Sequence, residues 1–236
     1  MSEPRLHAAT GPSGAALLDL VTGRWTLLDP IAAGLLQLPD RAPERAAAIE
    51  EAVARWAATG ADPGQVRAGL IRAAADLDRL RAGRPVRHAP PSLAPTVLFA
   101  PAARPALRDR AVAVIGLGAA LLLLRALPLR HVVTVARAAT RLPGRPAHVR
   151  DAEAVLAAVR SAGTWWAGRV ACLEESLACH LAAALTGHKV RWVLGARFSP
   201  RGAHAWIEAD GRVLGQDDHD RLWPYLPVLT ISHSNR

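Results

Sequence analysis

Two kinds of hydrophobic spacing alternate along this chain, and together they predict an α+β protein. Toward the C-terminal end, His204, Trp206 and Glu208 alternate with Ala205, Ile207 and Ala209, the period of a strand with two unlike faces. Asp210-Gly211 supplies residues that accept positive φ in a tight hairpin, and Arg212-Val213-Leu214 reads as the returning strand. Upstream, CLEESLACHLAAAL from Cys172 to Leu185 reads as a helix, Val149 to Ala162 as an amphipathic helix, and Arg137 to Pro146 as a loop. Ala111 to Leu124 is continuously apolar, but Arg110 and Arg125 bracket only 14 residues, fewer than the roughly 20 a membrane span requires. A buried helix is expected there, with peripheral membrane association left open.

The N-terminal third has its own pattern. Gly14 to Leu20 and Arg24 to Leu28 read as strands joined by a Thr22-Gly23 turn, with Trp25 and Leu27 on one face of the second and Arg24, Thr26 and Leu28 on the other. Asp29-Pro30 has the residues that start a helix, Ala42 to Gly60 is an alanine-rich helix ending in glycine, and Asp62-Pro63 caps a third. On that third helix Val66, Leu70, Ala74, Leu77 and Leu80 recur at helical spacing, while Arg67, Arg72, Arg79 and Arg81 populate the other faces. The composition changes at Gly83-Arg-Pro-Val-Arg-His-Ala-Pro-Pro, which divides the chain into a domain of residues 1–84, a linker of 85–91 and a domain of 92–236.

Candidate chemistry enters at Cys172. A cysteine that opens a helix gains free backbone N–H groups and positive dipole character, both of which favour a thiolate and can hold an oxyanion. His204 on the neighbouring strand is the matching general base. The hairpin register decides what orients the imidazole: a two-residue Asp210-Gly211 loop places Asp217 opposite His204, whereas a bulge at Gly211 places Gln216 there. A carboxylate would stabilise imidazolium, and an amide would only orient the ring. Thr164-Trp165-Trp166 lies just upstream of the cysteine, where either indole serves as an oxyanion donor or substrate wall, or else packs in the core.

Composition narrows the classes. The net charge is +9, yet 29 basic residues include a single lysine, Lys189, and the arginines are spread along the chain rather than gathered in a stripe with aromatics. Nucleic acid is therefore not an expected partner. Cys172 and Cys179 lie two turns apart on one helix, too far to bridge, and the Cys and His spacing does not suit zinc. The N-terminus lacks the pattern of a secretory signal, so a cytoplasmic location is expected, in keeping with a thiol that must stay reduced.

The run from Cys172 through Leu214 resembles the leader peptidases of lasso peptide biosynthesis, the B proteins, in the transglutaminase-like branch of papain-type cysteine proteases. Cys172, Leu173, Ser176, Leu177, Ala178, Gly187, Gly195, Ala203, His204, Ala205, Trp206 and Glu208 occupy the positions of that family's motifs. Two departures stand out. Glu175 occupies a position often held by arginine, so any salt bridge made by that arginine is missing, and the acidic third residue of the family falls about where Gln216 stands. Residues 1–84 resemble a winged-helix-like precursor-recognition element similar to the pyrroloquinoline-quinone carrier protein, which adds a leader peptide as an extra strand. The resemblance implies leader contacts at Arg24, Trp25, Thr26, Leu27, Leu28, Arg67 and Leu70, although the arginines also fit a plain solvated face.

Taken with the residue pattern, the resemblance implies a cysteine peptidase that binds a ribosomally made lasso precursor and removes its leader, with a catalytic helix packed on an antiparallel sheet. It also implies an asparagine-synthetase-like cyclase partner. No intrinsic cofactor is expected, since the chain has no phosphate-cradling glycine loop, and ATP would enter only through that cyclase. Amide transfer by the same site and non-catalytic escort of the precursor are the alternative readings.

Overall fold

The computed structural model describes residues 5–33, 42–81, 107–215 and 225–233. Its architecture is mixed α+β, with two antiparallel sheets and helices packed on them. The segment 85–91 expected as a linker lies outside the described residues.

The N-terminal sheet has three strands, β1 (Leu6–Gly11), β2 (Gly14–Asp19) and β3 (Arg24–Leu28), in that order and antiparallel. β1 extends the two-strand hairpin read from the sequence. In its LHAATG only Thr10 is β-branched, and it forms because Leu6 to Gly11 pair with Asp19 to Gly14 across a tight turn. Asp19 fixes the β2–β3 connection: its buried carboxylate accepts from Arg5 at 3.0 Å and from the Val21 N–H at 2.8 Å.

The central strand of this sheet, β2, is buried on both faces. Ala15, Leu17 and Leu28 face α1 (Pro30–Ala33), α2 (Ala42–Ala57) and α3 (Pro63–Arg81), joining Val53, Val66 and Leu70 in one core. Leu18, the following Leu20, and Trp25 belong to the larger core of the other helices and the second sheet. The Asp62 cap is present, with its carboxylate accepting from the Gln65 N–H at 2.7 Å.

The larger unit contains α4 (Leu107–Ala126), α5 (Leu129–Ala139), α6 (Val149–Gly163) and α7 (Cys172–Leu185). Its sheet is β6 (Arg191–Phe198), β7 (Arg201–Ala209), β8 (Arg212–Leu214) and β9 (Leu226–Ile231), in the order β8-β7-β6-β9. A short parallel pair, β4 (Arg145–Pro146) with β5 (His188–Lys189), ties the region before α6 to the end of α7. Two sequence expectations are corrected here. Arg137 to Ala139 belong to the last turn of α5, because Val132, Val133, Ala136 and Ala139 recur as one buried face. The apolar run of α4 is buried only on one side, and Val114, Ile115 and Leu122 point outward.

Small residues let α4 and α7 approach closely. A Cβ on Gly116 would come within 2.8 Å of the Ala178 carbonyl and 3.1 Å of the Ala182 Cβ. Asp109 lies with Ala182 and Thr186, so the two helices run antiparallel and the C-terminal end of α4 sits at the Cys172 end of α7.

Gly195 in β6 pairs with His204 in β7. A Cβ there would come within 2.6 Å of the Trp206 ring and 2.7 Å of the Leu226 carbonyl, so glycine is required for the indole to lie over the sheet. Gly195→Ala is expected to destabilise the protein by about 2–3 kcal/mol through overpacking. Urea denaturation would show an unchanged midpoint if this reading of Gly195 is incorrect.

Candidate active site

The first turn of α7 is held by a chain of buried polar contacts. Trp192 of β6 donates its indole N–H to Ser176 Oγ at 2.9 Å, and Ser176 donates onward to the Leu173 carbonyl at 3.3 Å. Each of these groups would be costly to bury alone, so the chain specifies how the helix start sits on the sheet. One turn further along, His180 donates Nε2–H to the Ala136 carbonyl at 2.9 Å and stacks on Trp192, while burial lowers its pKa and keeps it neutral. Ser176 thus has a physical reason to occupy its place after the cysteine.

Cys172 is the first residue of α7 and is partly buried. The backbone N–H groups of Ala205, the residue that follows His204 in β7, and of Leu173 at the helix start favour its thiolate. The start of α7 is therefore seated against the middle of β7. Burial pushes the Cys172 thiol up and the Glu174 carboxylate adds to the rise, whereas the surrounding N–H groups act in the opposite direction. Glu174 is there for a helix-capping reason: its carboxylate accepts from the Ala171 N–H at 3.1 Å. Cys179 is completely buried within the core, with its thiol pushed well up.

His204 is half-buried on the outward face of β7, between two aromatic rings. Trp206 stacks alongside at 5.8 Å between centroids and 18° between planes, and Tyr225 lies at 5.2 Å. Trp206 is itself fixed by donating to Glu208 at 2.9 Å, and Glu208 pairs with Arg191 at 2.8 Å. Behind Tyr225, the Arg197 guanidinium lies 5.4 Å from the ring centroid. Tyr225 and Arg197 escaped the sequence reading because Arg197 comes from β6 and Tyr225 from the residue just before β9, and neither carries a local pattern.

The β7–β8 hairpin has the two-residue register, with Glu208 opposite Val213 and Ala209 opposite Arg212. Asp210 at φ 48° and Gly211 at φ 72° both take the left-handed conformation this turn requires. The ladder is described as far as Leu214 opposite Ile207, and Gln216 and Asp217 lie outside the described residues. Asp210 also reaches back, accepting from the Val149 N–H at 3.3 Å at the start of α6.

Arg160 of α6 compensates for the acidic residue at position 175. It forms a two-pronged pair with Glu175 at 3.0 and 3.1 Å and donates to the Gly215 carbonyl at 3.0 Å, joining α6, α7 and the end of β8. The acidic residue at this position is thus charge-paired within the chain. Gly215 takes φ 80°, and a Cβ there would meet Arg160 Nη2 at 2.8 Å.

The remaining sequence-predicted residues divide clearly. Trp165 projects into solvent and Trp166 is largely exposed with Arg125 over its ring at 5.4 Å, which removes the core-packing reading for both. Thr26 and Leu28 are buried and Arg24 is exposed, while Trp25 packs toward the larger core. Leu27 is half-buried on the same face as Trp25. Leu70 is corrected to a core residue, because it is fully enclosed among Leu17, Val66 and their neighbours and presents nothing to a ligand. Arg67 is engaged by Glu50 at 2.6 and 2.8 Å. Among the described residues no group of three His, Cys, Asp or Glu side chains is placed to hold a metal ion.

Because an anion beside the sulfur raises its pKa, removing that charge should enlarge the thiolate fraction at any pH below the pKa. Glu174→Gln retains an acceptor for Ala171 and removes the charge. Cys172 in this variant should react with iodoacetamide roughly threefold faster at mildly alkaline pH, corresponding to a modest fall in pKa. An unchanged or slower rate, measured by intact mass, would contradict the role given to Glu174.

Comparison with known proteins supplies a family. No curated protein and no solved structure matches the chain. A family profile described as the Transglutaminase-like superfamily matches residues 113–230, from the middle of α4 to the end of β9 and half of the sequence. The matched range includes Cys172 and His204, and by it the chain belongs to the transglutaminase-like superfamily.

Proposed function

We propose that this protein is a cysteine peptidase that captures a ribosomally made precursor peptide by its leader and releases the leader by hydrolysis. The observation that carries the reading is that Cys172 is the first residue of α7, a helix packed against β7, the strand that bears His204, with the Ala205 N–H favouring the Cys172 thiolate. In the reaction His204 accepts the Cys172 proton as the sulfur attacks the scissile carbonyl carbon. The oxyanion forms beside the first backbone N–H groups of α7. Collapse breaks the C–N bond, with His204 returning the proton to the leaving amine, and water activated by His204 then hydrolyses the thioester. Either Asp217 or Gln216 completes the site by holding the imidazole.

Leader capture is assigned to the backbone edge of β3. It is the outer strand of the N-terminal sheet opposite β1, and the β1 side packs against β9. An extended leader would add a strand along Arg24 to Leu28, with affinity from main-chain hydrogen bonds and with side-chain contacts at Arg24 and Leu27. The leader belongs to a lasso precursor in this reading, and the freed N-terminus passes to an ATP-using, asparagine-synthetase-like cyclase as partner. Trp165 and Trp166 flank the approach to Cys172 as substrate walls.

Cys172→Ala should abolish leader release, followed by mass spectrometry of the precursor, while Cys179→Ala retains most of the activity. In the inactive variant, saturating leader should slow hydrogen exchange at residues 24–28. Cleavage that survives Cys172→Ala would remove the peptidase reading, and capture of the acyl group by an added amine instead of water would redefine it as amide transfer. Precursor that keeps its full mass with wild-type protein would leave only escort.

A further inference from the structure

We propose that the outer face of α4, together with Trp165 and Trp166, docks on the surface of an anionic lipid bilayer. This inference is independent of the peptidase reading. Ala111, Ile115, Gly118 and Leu122 recur on one exposed side of the helix, with Val114 beside them. Val114 and Ile115 are each 59% exposed and Leu122 is 68% exposed, an unusual outlay of branched aliphatic surface on a helix whose other side fills the core. No described helix is long and apolar enough to cross a membrane, so a helix of this kind would lie in the interface plane with its apolar face inward.

Charge complementarity selects the occupant. Between Asp109 and Asp151, a stretch that includes nearly all of α4 and the whole of α5, the sequence has seven arginines and no carboxylate. That local excess of positive charge would draw an anionic headgroup layer toward this part of the molecule before the aliphatic side chains insert. Arginine is suited to this place because its apolar stem accompanies the inserted residues while the guanidinium reaches the phosphate level.

The tryptophans give a second, separate pointer. Trp165 is 89% exposed and Trp166 is 41% exposed, the latter beneath the Arg125 guanidinium from the last turn of α4. A pair of projecting indoles beside arginine, at the end of an apolar helical stripe, suits the boundary between headgroups and acyl chains, where an amphipathic ring is favoured. Because α4 and α7 are antiparallel, this end of the stripe is also the Cys172 end of the helical layer. Docking there would place the candidate active site close to the bilayer surface.

Full-length protein should co-sediment with vesicles of phosphatidylcholine mixed with phosphatidylglycerol, and at least tenfold less with phosphatidylcholine alone. Its tryptophan emission should shift to the blue on binding, and Trp165→Phe should remove most of that shift. Ile115→Glu with Leu122→Glu, both at exposed positions, should reduce sedimentation at least tenfold while leaving the thermal melt unchanged. Arg125→Gln provides a second variant that tests the same surface without adding an acid. Binding that salt abolishes completely and that the Ile115 and Leu122 changes do not affect would overturn the proposal in favour of adsorption by net charge. It would be overturned equally by absence of binding to either vesicle, or by light scattering showing that the stripe joins two copies of the chain.

Discussion

The seat of the first turn of α7 on the sheet is the constraint from which the rest of the larger unit follows. A buried polar contact defines it, the Trp192 N–H donating to Ser176 Oγ at 2.9 Å. It is modest in net terms, but a buried donor left without its acceptor costs about 1–3 kcal/mol, so a shifted or rotated helix is penalised. Close packing reinforces this from the other side, since Gly116 and Ala178 leave α4 and α7 little freedom to slide. A cysteine fixed in this way spends little further conformational entropy when it meets a carbonyl.

The same junction sets an electrostatic condition. A sulfur that is partly buried, with the Glu174 carboxylate nearby, rests as a thiol, and the N–H groups around it offset only part of that cost. Such a site requires a base at hand. In the proposed reaction that base is His204, whose ring lies against Trp206 and Tyr225, and Gly195 makes room for the Trp206 ring. The N-terminal sheet reaches this arrangement through packing: Leu18, Leu20 and Trp25 enter the larger core, and β1 and β2 contact β9, the strand that directly follows Tyr225. Peptide capture on β3 would thus occur on a sheet that shares a core with the catalytic unit.

Much of the local structure was legible because it rests on short-range chemistry. The Asp210-Gly211 hairpin, the Asp62 cap and the buried face of α6 each follow from residues within a few positions of one another. What the sequence concealed is long-range. Arg160 reaches Glu175 from another helix, so the ion pair at position 175 could not be read from neighbouring residues. β1 was missed because its residues have weak strand preference and it exists through pairing with β2. Leu70 showed helical periodicity, but periodicity marks a face without saying whether core or ligand covers it, and here it is core.

The central claim is that Cys172 is a thiol activated by His204 across the α7–β7 junction. The most direct test compares the pH dependence of iodoacetamide alkylation at Cys172 in the wild-type protein and in His204→Ala. The account predicts a slower reaction in the variant near neutral pH, where the base must assist, and convergence of the two rates at high pH, where the thiol ionises unaided. Coincident profiles across the whole range would contradict it, because they would show that the histidine does not act on the sulfur.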